Sequence, residues 1–237
     1  MLAPGDSRQP RGLLVDALDT LVELLPPAPA LAARLQSQGI DLPPDAAARA
    51  FATEISFYRR HHLHGRDERS LAELRLRCAE VLHGALPEPV QAKLPVDSLL
   101  PEMLASLRFR VLPGAGEALA KLRQRGLLLA VVSNWDVSLA ERLEELELDG
   151  QLDAIVTSAE VGEAKPRPAV FRRALERLGL EPAAALHVGD SWELDVLGAR
   201  AAGVRPVLLA PGASVEGRDS RDGVLVLPSL AALGELL

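Results

Sequence analysis

Short apolar runs alternate with longer amphipathic stretches along most of this chain. The apolar runs, which are bounded by turn residues, fall at residues 13–15, 127–132, 154–156, 185–188, 204–209 and 224–227. Between them, apolar residues recur at helical spacing over residues 115–125, 138–146, 168–178 and 194–202. Runs that are apolar on both faces are typical of buried parallel strands. Their alternation with helices predicts an α/β fold with a doubly wound parallel sheet.

Residues 26–107 interrupt this alternation, because they contain no comparable strand run. Apolar residues in this segment recur at helical spacing instead, for example Phe51, Ile55 and Tyr58. We therefore predict an all-helical domain at residues 26–107, inserted after the first strand. The α/β core domain would then consist of residues 1–25 and 108–237.

Composition narrows the class of protein. The chain has 237 residues and a formal net charge of −7, which argues against a nucleic-acid partner because phosphate-binding surfaces are basic. Its single cysteine, Cys78, excludes an internal disulfide and a cysteine-based zinc site. No apolar run approaches the length of a membrane span. These features predict a soluble cytoplasmic protein without a membrane partner.

Polar residues with ligand or catalytic chemistry stand after four of the predicted strands: Asp16, Ser133 with Asn134, Lys165, and Asp190 with Asp195. Open α/β sheets bind ligands beyond the carboxyl ends of their strands, so these residues are candidates for one site. Carboxylates gathered in one crevice repel each other and need a divalent cation. We predict Mg²⁺, because it prefers oxygen ligands.

In order, residue type and strand context, these positions resemble the four motifs of the haloacid dehalogenase superfamily. Those motifs are a strand-end Asp, a Ser or Thr, a Lys, and a Gly-Asp followed by a second acid. The resemblance covers essentially the whole chain. It implies a Rossmann-like core and a hydrolase activity. It also implies that the helical insertion is a cap domain, because members of subfamily I of this superfamily carry a helical cap inserted at this position.

The resemblance also implies catalytic roles. Asp16 would attack a phosphoryl group and form an aspartyl-phosphate, which splits one difficult displacement into two easier ones. The Ser133 hydroxyl, the Asn134 backbone N–H and the Lys165 ammonium would bind the phosphoryl oxygens of a small phosphorylated substrate. Lys165 would in addition keep the nucleophile ionised.

By the same resemblance, Asp16, Asp190 and the backbone carbonyl of Leu18 would bind Mg²⁺. Asp195 lies five residues beyond Asp190 and would orient metal-bound water. The sequence supports an alternative role for Asp195 equally well: its carboxylate would lie in the first turn of a helix, where the helix dipole stabilises the negative charge.

One position departs from the phosphatase pattern of the family. Most of these phosphatases carry a second Asp two residues after the nucleophile, which acts as general acid and base, and here that position is Leu18. Asp19 follows directly, but a shift of one residue in extended chain turns a side chain to the opposite side. We expect the loss to reduce activity most on alkyl phosphates, whose leaving group needs a proton.

The alternatives to a phosphatase are a 2-haloacid dehalogenase and a non-catalytic homologue. Residues 16–21 (DALDTL) are similar to the first motif of the 2-haloacid dehalogenases, which also lack the second Asp. Asp190 and Asp195, in contrast, match the metal pair of the phosphatases. A branch of the family named after a rhythmically expressed gene combines these traits, and residues 133–136 (SNWD) and 187–191 (HVGDS) resemble it closely. A non-catalytic homologue that binds a phosphorylated ligand or a protein partner is the other alternative.

Overall fold

The computed structural model describes residues 9–214 and 220–237, and the chain divides into two compact units. One unit contains the residues up to Glu23 and those from Val111 onward, and the other runs from Leu24 to Arg110. Both boundaries lie inside short strands, at residues 22–24 and 109–111, which pair with each other. The chain therefore leaves the first unit and returns to it along neighbouring strands.

The strands of the described residues are β1 (Gly12–Val15), β2 (Val22–Leu24), β3 (Phe109–Val111), β4 (Leu128–Ser133), β5 (Ala154–Thr157), β6 (Ala185–Gly189), β7 (Arg205–Leu209), β8 (Ser220–Arg221) and β9 (Val224–Leu227). Seven of them form one sheet in the order β5-β4-β1-β6-β7-β9-β8. Neighbours from β5 to β9 are parallel, and β8 runs antiparallel to β9 at one edge. The predicted doubly wound parallel sheet is confirmed.

The helices are α1 (Pro27–Gln36), α2 (Pro44–His61), α3 (Glu68–Gly84), α4 (Glu88–Gln91), α5 (Val96–Ser106), α6 (Ala115–Gln124), α7 (Leu139–Glu145), α8 (Ser158–Val161), α9 (Ala169–Leu178), α10 (Gly198–Ala201) and α11 (Leu230–Leu236). A π-helix, Trp192–Leu197, leads directly into α10. Among residues 9–214 and 220–237, none of these helices combines the length and apolar composition of a membrane span.

Both faces of the sheet are covered, as the doubly apolar strands require. In β1, Leu14 belongs to an apolar cluster that includes Val170 and Phe171 of α9. Leu13 and Val15 point to the opposite face, because successive side chains of a strand alternate, and they are fully buried as well. Central strands buried on both sides give the rigid frame from whose carboxyl ends the candidate residues project.

The second unit contains α1 to α5 and has its own apolar core. Helix α2 packs against α1 and α3, and α5 packs against the same two helices. Phe51 of α2 and Leu74, Cys78 and Leu82 of α3 are buried in this core, in agreement with the helical spacing of the sequence. Glu54 of α2 is buried there too, with only 4% of its surface exposed.

Candidate active site

The candidate residues converge at the carboxyl ends of three adjacent strands. Asp16 follows β1, Ser133 ends β4 and Asp190 follows β6, and β1 lies between β4 and β6 in the sheet. Lys165 comes from the segment between α8 and α9. Parallel pairing places all these strand ends at the same edge, so residues separated by more than 100 positions become neighbours.

A buried carboxylate, a hydroxyl and an ammonium form the centre of the site. The Asp16 Oδ1 accepts a hydrogen bond from the Lys165 Nζ at 2.5 Å and one from the Ser133 Oγ at 3.0 Å. All three residues are at least nine-tenths buried. Charge-assisted bonds in such a water-poor setting are strong and hold both partners in one geometry.

Lys165 contacts a second carboxylate on its other side. Its Nζ donates to the Asp195 Oδ1 at 2.6 Å, so one ammonium joins Asp16 to Asp195. Burying a lysine is costly unless its charge is compensated, and here two carboxylates compensate it. Burial alone would lower the pKa of Lys165, but Asp16 and Asp195 outweigh that effect and raise it. Lys165 therefore stays charged at neutral pH.

The pKa values of the two carboxyl groups beside Lys165 are shifted in opposite directions. Burial raises the pKa of Asp16, although Lys165 acts in the opposite direction. Burial acts on Asp195 in the same sense, but the Lys165 ammonium and the His187 hydrogen bond lower the pKa of Asp195 below its ordinary range. Asp195 therefore stays ionised at neutral pH, because the Lys165 ammonium and the His187 hydrogen bond stabilise its charge.

Asp195 reaches the site through an unusual turn after β6. The Asp195 and Val196 N–H groups both donate to the Ser191 carbonyl. The bond from Val196 spans five residues, which is the spacing of a π-helix. A side chain on Gly189 could not coexist with this arrangement, because its Cβ would lie 2.2 Å from the Asp195 Cγ. Glycine at the end of β6 therefore lets the carboxylate pack against the strand.

Asn134 fixes the backbone of Lys165 through a reciprocal pair of bonds. Its side-chain Oδ1 accepts the Lys165 N–H at 2.7 Å, and its Nδ2 donates to the Lys165 carbonyl at 3.1 Å. The side chain thereby joins the loop after β4 to the segment that carries the ammonium. This role adds to the predicted one, which concerned the Asn134 backbone N–H.

Three carboxylates of the site lie close together. Asp16, Asp190 and Asp195 each offer an oxygen atom within 4.8 Å of the others. Asp190 is exposed, yet the pKa of its carboxyl group is raised, first by partial desolvation and then by the charges of Asp195 and Asp19. This excess of negative charge, set against the one ammonium of Lys165, fits a site for a divalent cation.

The turn after Asp16 presents a hydrocarbon side chain where the phosphatase pattern has an acid. Leu18 is half-buried, and the backbone bonds that close the turn are accepted by the carbonyls of Ala17 and Val22. Asp19 adopts a left-handed conformation with φ of 60° and is exposed. The negative charge of Asp19 contributes to the raised pKa of Asp190.

His187 is a site residue that the sequence analysis did not single out. It is fully buried in β6, and its Nε2 lies 3.0 Å from the Asp195 Oδ1. A signal for it exists in the sequence, because His187 is the one polar residue in the apolar run 185–188. A polar residue in a strand buried on both faces must find a partner.

The chain is similar in sequence to known proteins over most of its length. Residues 10–203 match the family model described as haloacid dehalogenase-like hydrolase. The human protein named haloacid dehalogenase-like hydrolase domain-containing protein 3 is 34% identical over 235 residues, which cover 95% of this chain and 92% of that protein. A ribulose-1,5-bisphosphate 5-phosphatase from Halopiger xanaduensis is 32% identical over 142 residues, or 60% of this chain and 59% of the phosphatase.

Among solved structures, the L-2-haloacid dehalogenase from Xanthobacter autotrophicus is similar with a TM-score of 0.68 and 21% identity. The match covers 96% of this chain and 98% of that one. At this identity the likeness concerns the fold alone.

The doubly wound parallel sheet, with a carboxylate–lysine pair at its carboxyl edge, is an α/β fold of the Rossmann-like type. The chain belongs to the haloacid dehalogenase-like hydrolase family. The resemblance of the four motifs is thereby confirmed. The branch named after a rhythmically expressed gene remains a prediction.

Proposed function

We propose that the protein is a Mg²⁺-dependent phosphatase that acts on small phosphorylated compounds through Asp16. The observation that carries this proposal is the buried contact of the Asp16 carboxylate with the Lys165 ammonium, beside the Ser133 hydroxyl. A carboxylate held among donors is suited to attack a phosphoryl group, because the same donors can bind the phosphoryl oxygens. The phosphatase among the relatives favours hydrolysis of phosphate esters over dehalogenation.

The reaction would proceed in two displacements at phosphorus. An Asp16 oxygen forms a bond to phosphorus while the bond to the substrate oxygen breaks, and the leaving oxygen takes the electron pair. Water then attacks the phosphorus of the aspartyl-phosphate, and the bond between phosphorus and the Asp16 oxygen breaks with its electron pair going to Asp16. Phosphate is released with one proton of the water, and the other proton passes through solvent to the oxygen that left in the first step. Ser133 would donate to a phosphoryl oxygen, and Lys165 would balance negative charge throughout.

The acidic cluster supports a divalent cation in this site. Asp16, Asp190 and the Leu18 carbonyl would hold Mg²⁺, while Asp195, whose oxygens already accept bonds from Lys165 and other donors, would stand beside the ion. When bound, the ion would supply positive charge to phosphoryl oxygens and would lower the raised pKa of Asp16. The excess of carboxylates over ammonium groups is the physical reason for expecting it.

We assign the helical unit, predicted at residues 26–107, the role of a cap that selects the substrate. Leu18 narrows the substrate class further, because no carboxyl group at that position can protonate a leaving alkoxide. Acyl and aryl phosphates, whose leaving groups are better, should therefore be hydrolysed faster than alkyl phosphates.

The test is hydrolysis of p-nitrophenyl phosphate in the presence of Mg²⁺. We expect Asp16→Asn to reduce kcat by on the order of 10³-fold or more, because the amide is not a nucleophile, and EDTA to stop the wild type. Asp149→Asn, an equal change at an exposed position of the same unit, should have no effect. Unchanged turnover in Asp16→Asn or in EDTA would contradict the proposal.

Two further measurements separate the alternatives. Release of halide from 2-haloacids without added metal would identify a dehalogenase. Absence of turnover over alkyl, aryl and acyl phosphates, combined with binding of Mg²⁺ or of a phosphorylated ligand, would identify a non-catalytic homologue.

A further inference from the structure

His187 occupies the centre of the sheet, in register with Leu14 of β1 and Pro206 of β7. Its side chain is fully buried, and the Phe171 ring meets the imidazole edge-on, with ring centroids 4.8 Å apart. Desolvating two ring nitrogens in such surroundings is unfavourable unless a bond compensates for it. A purely apolar residue would fill the same space without that cost.

The hydrogen bonds of the ring define its protonation. The Nε2 lies 3.0 Å from the Asp195 Oδ1, and a carboxylate can only accept, so the Nε2 carries the hydrogen. The Nδ1 is buried and has no hydrogen-bond partner among the described residues. A hydrogen on Nδ1 would be a buried donor without an acceptor among the described residues, so the geometry favours Nε2 as the nitrogen that donates.

We propose that His187 is a positioning residue, whose Nε2–H fixes the Asp195 carboxylate so that Asp195 holds Lys165 against Asp16. The Asp195 Oδ1 accepts from Lys165 and from His187, and its Oδ2 accepts the Ser191 N–H at 3.0 Å. The torsion that rotates a carboxylate is soft, so donors on both oxygens are needed to set it.

The bond therefore acts on the nucleophile through two intermediate groups. His187 orients Asp195, Asp195 shares the Lys165 ammonium with Asp16, and the last contact measures 2.5 Å. Without the imidazole donor, the Asp195 Oδ1 would have one donor fewer, and the ammonium would be held less firmly. The catalytic part of this inference rests on the proposed function, whereas the part that concerns Asp195 and Lys165 does not.

A matched pair of variants separates donation from packing. Glutamine and methionine have side chains of similar length and volume, but only glutamine carries an N–H donor near the position of the imidazole Nε2. With p-nitrophenyl phosphate, we expect His187→Met to lower kcat by on the order of 10-fold with KM little changed. His187→Gln should recover most of that loss. Equal kcat values for the two variants would overturn the proposal.

A second readout does not depend on turnover. The chain has only three lysines, so mass spectrometry can compare acylation of Lys165 with that of Lys93 and Lys121, which are exposed. Labelling of Lys165 relative to the other two should rise several-fold in His187→Met and stay near the wild-type value in His187→Gln. Equal labelling in both variants would contradict the proposal even if the wild type hydrolysed no phosphate.

The wild type alone supplies the remaining measurement, which stands even if a variant fails to fold. Nitrogen-15 NMR of the imidazole distinguishes its tautomers. We expect Nε2 to carry a hydrogen. A ring whose only hydrogen is on Nδ1 would overturn the assignment, because its Nε2 could not donate to Asp195.

Discussion

At the scale of single residues, the proposed function makes Leu18 the position that limits the chemistry of the site. In the proposed mechanism Asp16 attacks, and Ser133 and Lys165, which both contact it, stabilise charge, but no residue is assigned as proton donor to the leaving group. General acid–base assistance is worth roughly 10²–10⁴-fold in rate. Under the proposed function, a hydrocarbon at position 18 would lower the rate through one missing proton transfer and leave the other proposed catalytic groups in place.

This predicts a gain of function from one substitution. Leu18→Asp places a carboxyl group at the sequence position of the missing acid, on a residue that is half-buried. We expect hydrolysis of alkyl phosphates to rise by about 10-fold or more, and hydrolysis of acyl phosphates to change much less. The rates are measured side by side on both classes.

Leu18→Asn is the control, because asparagine has the shape of aspartate without a transferable proton. It should show no gain on either class. If both variants gained equally, the effect would come from the loss of leucine and not from an added acid.

At the scale of elements, α2 carries a charge-bearing residue into an apolar core. Glu54 packs among apolar residues of α2 and α3, where the Cys78 thiol is a hydrogen-bond partner. Desolvation raises the pKa of Glu54 above its ordinary value of 4.5, although the Cys78 bond opposes that rise. Burial in the helical unit thus favours the neutral form of this carboxyl group over the charged form.

The direction of the pH dependence follows from linkage. A raised pKa in the folded state means that the folded state binds more protons, so stability is fully present below pH 4.5 and is lost as the pH rises through the folded value. In Glu54→Gln this loss should be absent, and at pH 8 the variant should be more stable than the wild type by about 1 kcal/mol. Hydrogen exchange of the α2 and α3 amides measures the difference.

Glu80→Gln on α3 provides the comparison, since Glu80 is exposed and the same substitution there should leave the pH dependence of the wild type unchanged. A pH dependence that is the same in Glu54→Gln and in the wild type would show that Glu54 does not cause it.

At the scale of the whole molecule, acidic charge is concentrated where the strands end. The chain carries a net charge of −7, and three of its carboxylates lie within 4.8 Å of each other around one ammonium. Such a cluster is repulsive in the absence of a cation, so binding of Mg²⁺ should stabilise the folded state by mass action. This stabilisation is independent of catalysis.

We expect Mg²⁺ at about 100 times its Kd to raise the free energy of unfolding by about 2.7 kcal/mol, which shifts Tm by several degrees. Asp190→Asn should abolish most of the shift because it removes a proposed side-chain ligand, whereas Asp149→Asn on the surface should retain it. Thermal unfolding with and without Mg²⁺ measures both. An undiminished shift in Asp190→Asn would place the ion elsewhere.

The sequence alone determined the framework of the molecule. The strands of the parallel sheet and helices α6, α7 and α9 follow from local periodicity, since burial on one or both faces sets the spacing of apolar residues along the chain. The placement of Asp16, Ser133 and Asp190 at one sheet edge follows as well, because parallel strands share the direction of their carboxyl ends. Motif order was enough to identify the family.

Only the tertiary structure decided how the site is held together. The bonds of Lys165 with Asp195, of Asn134 with the Lys165 backbone, and of His187 with Asp195 join segments that no local pattern relates. Periodicity describes which face of an element is buried, but it carries no information on which side chain of another element lies opposite. The partners of buried polar groups depend on that packing, and this is why the contacts of Asp195 and His187 could not be predicted from the sequence.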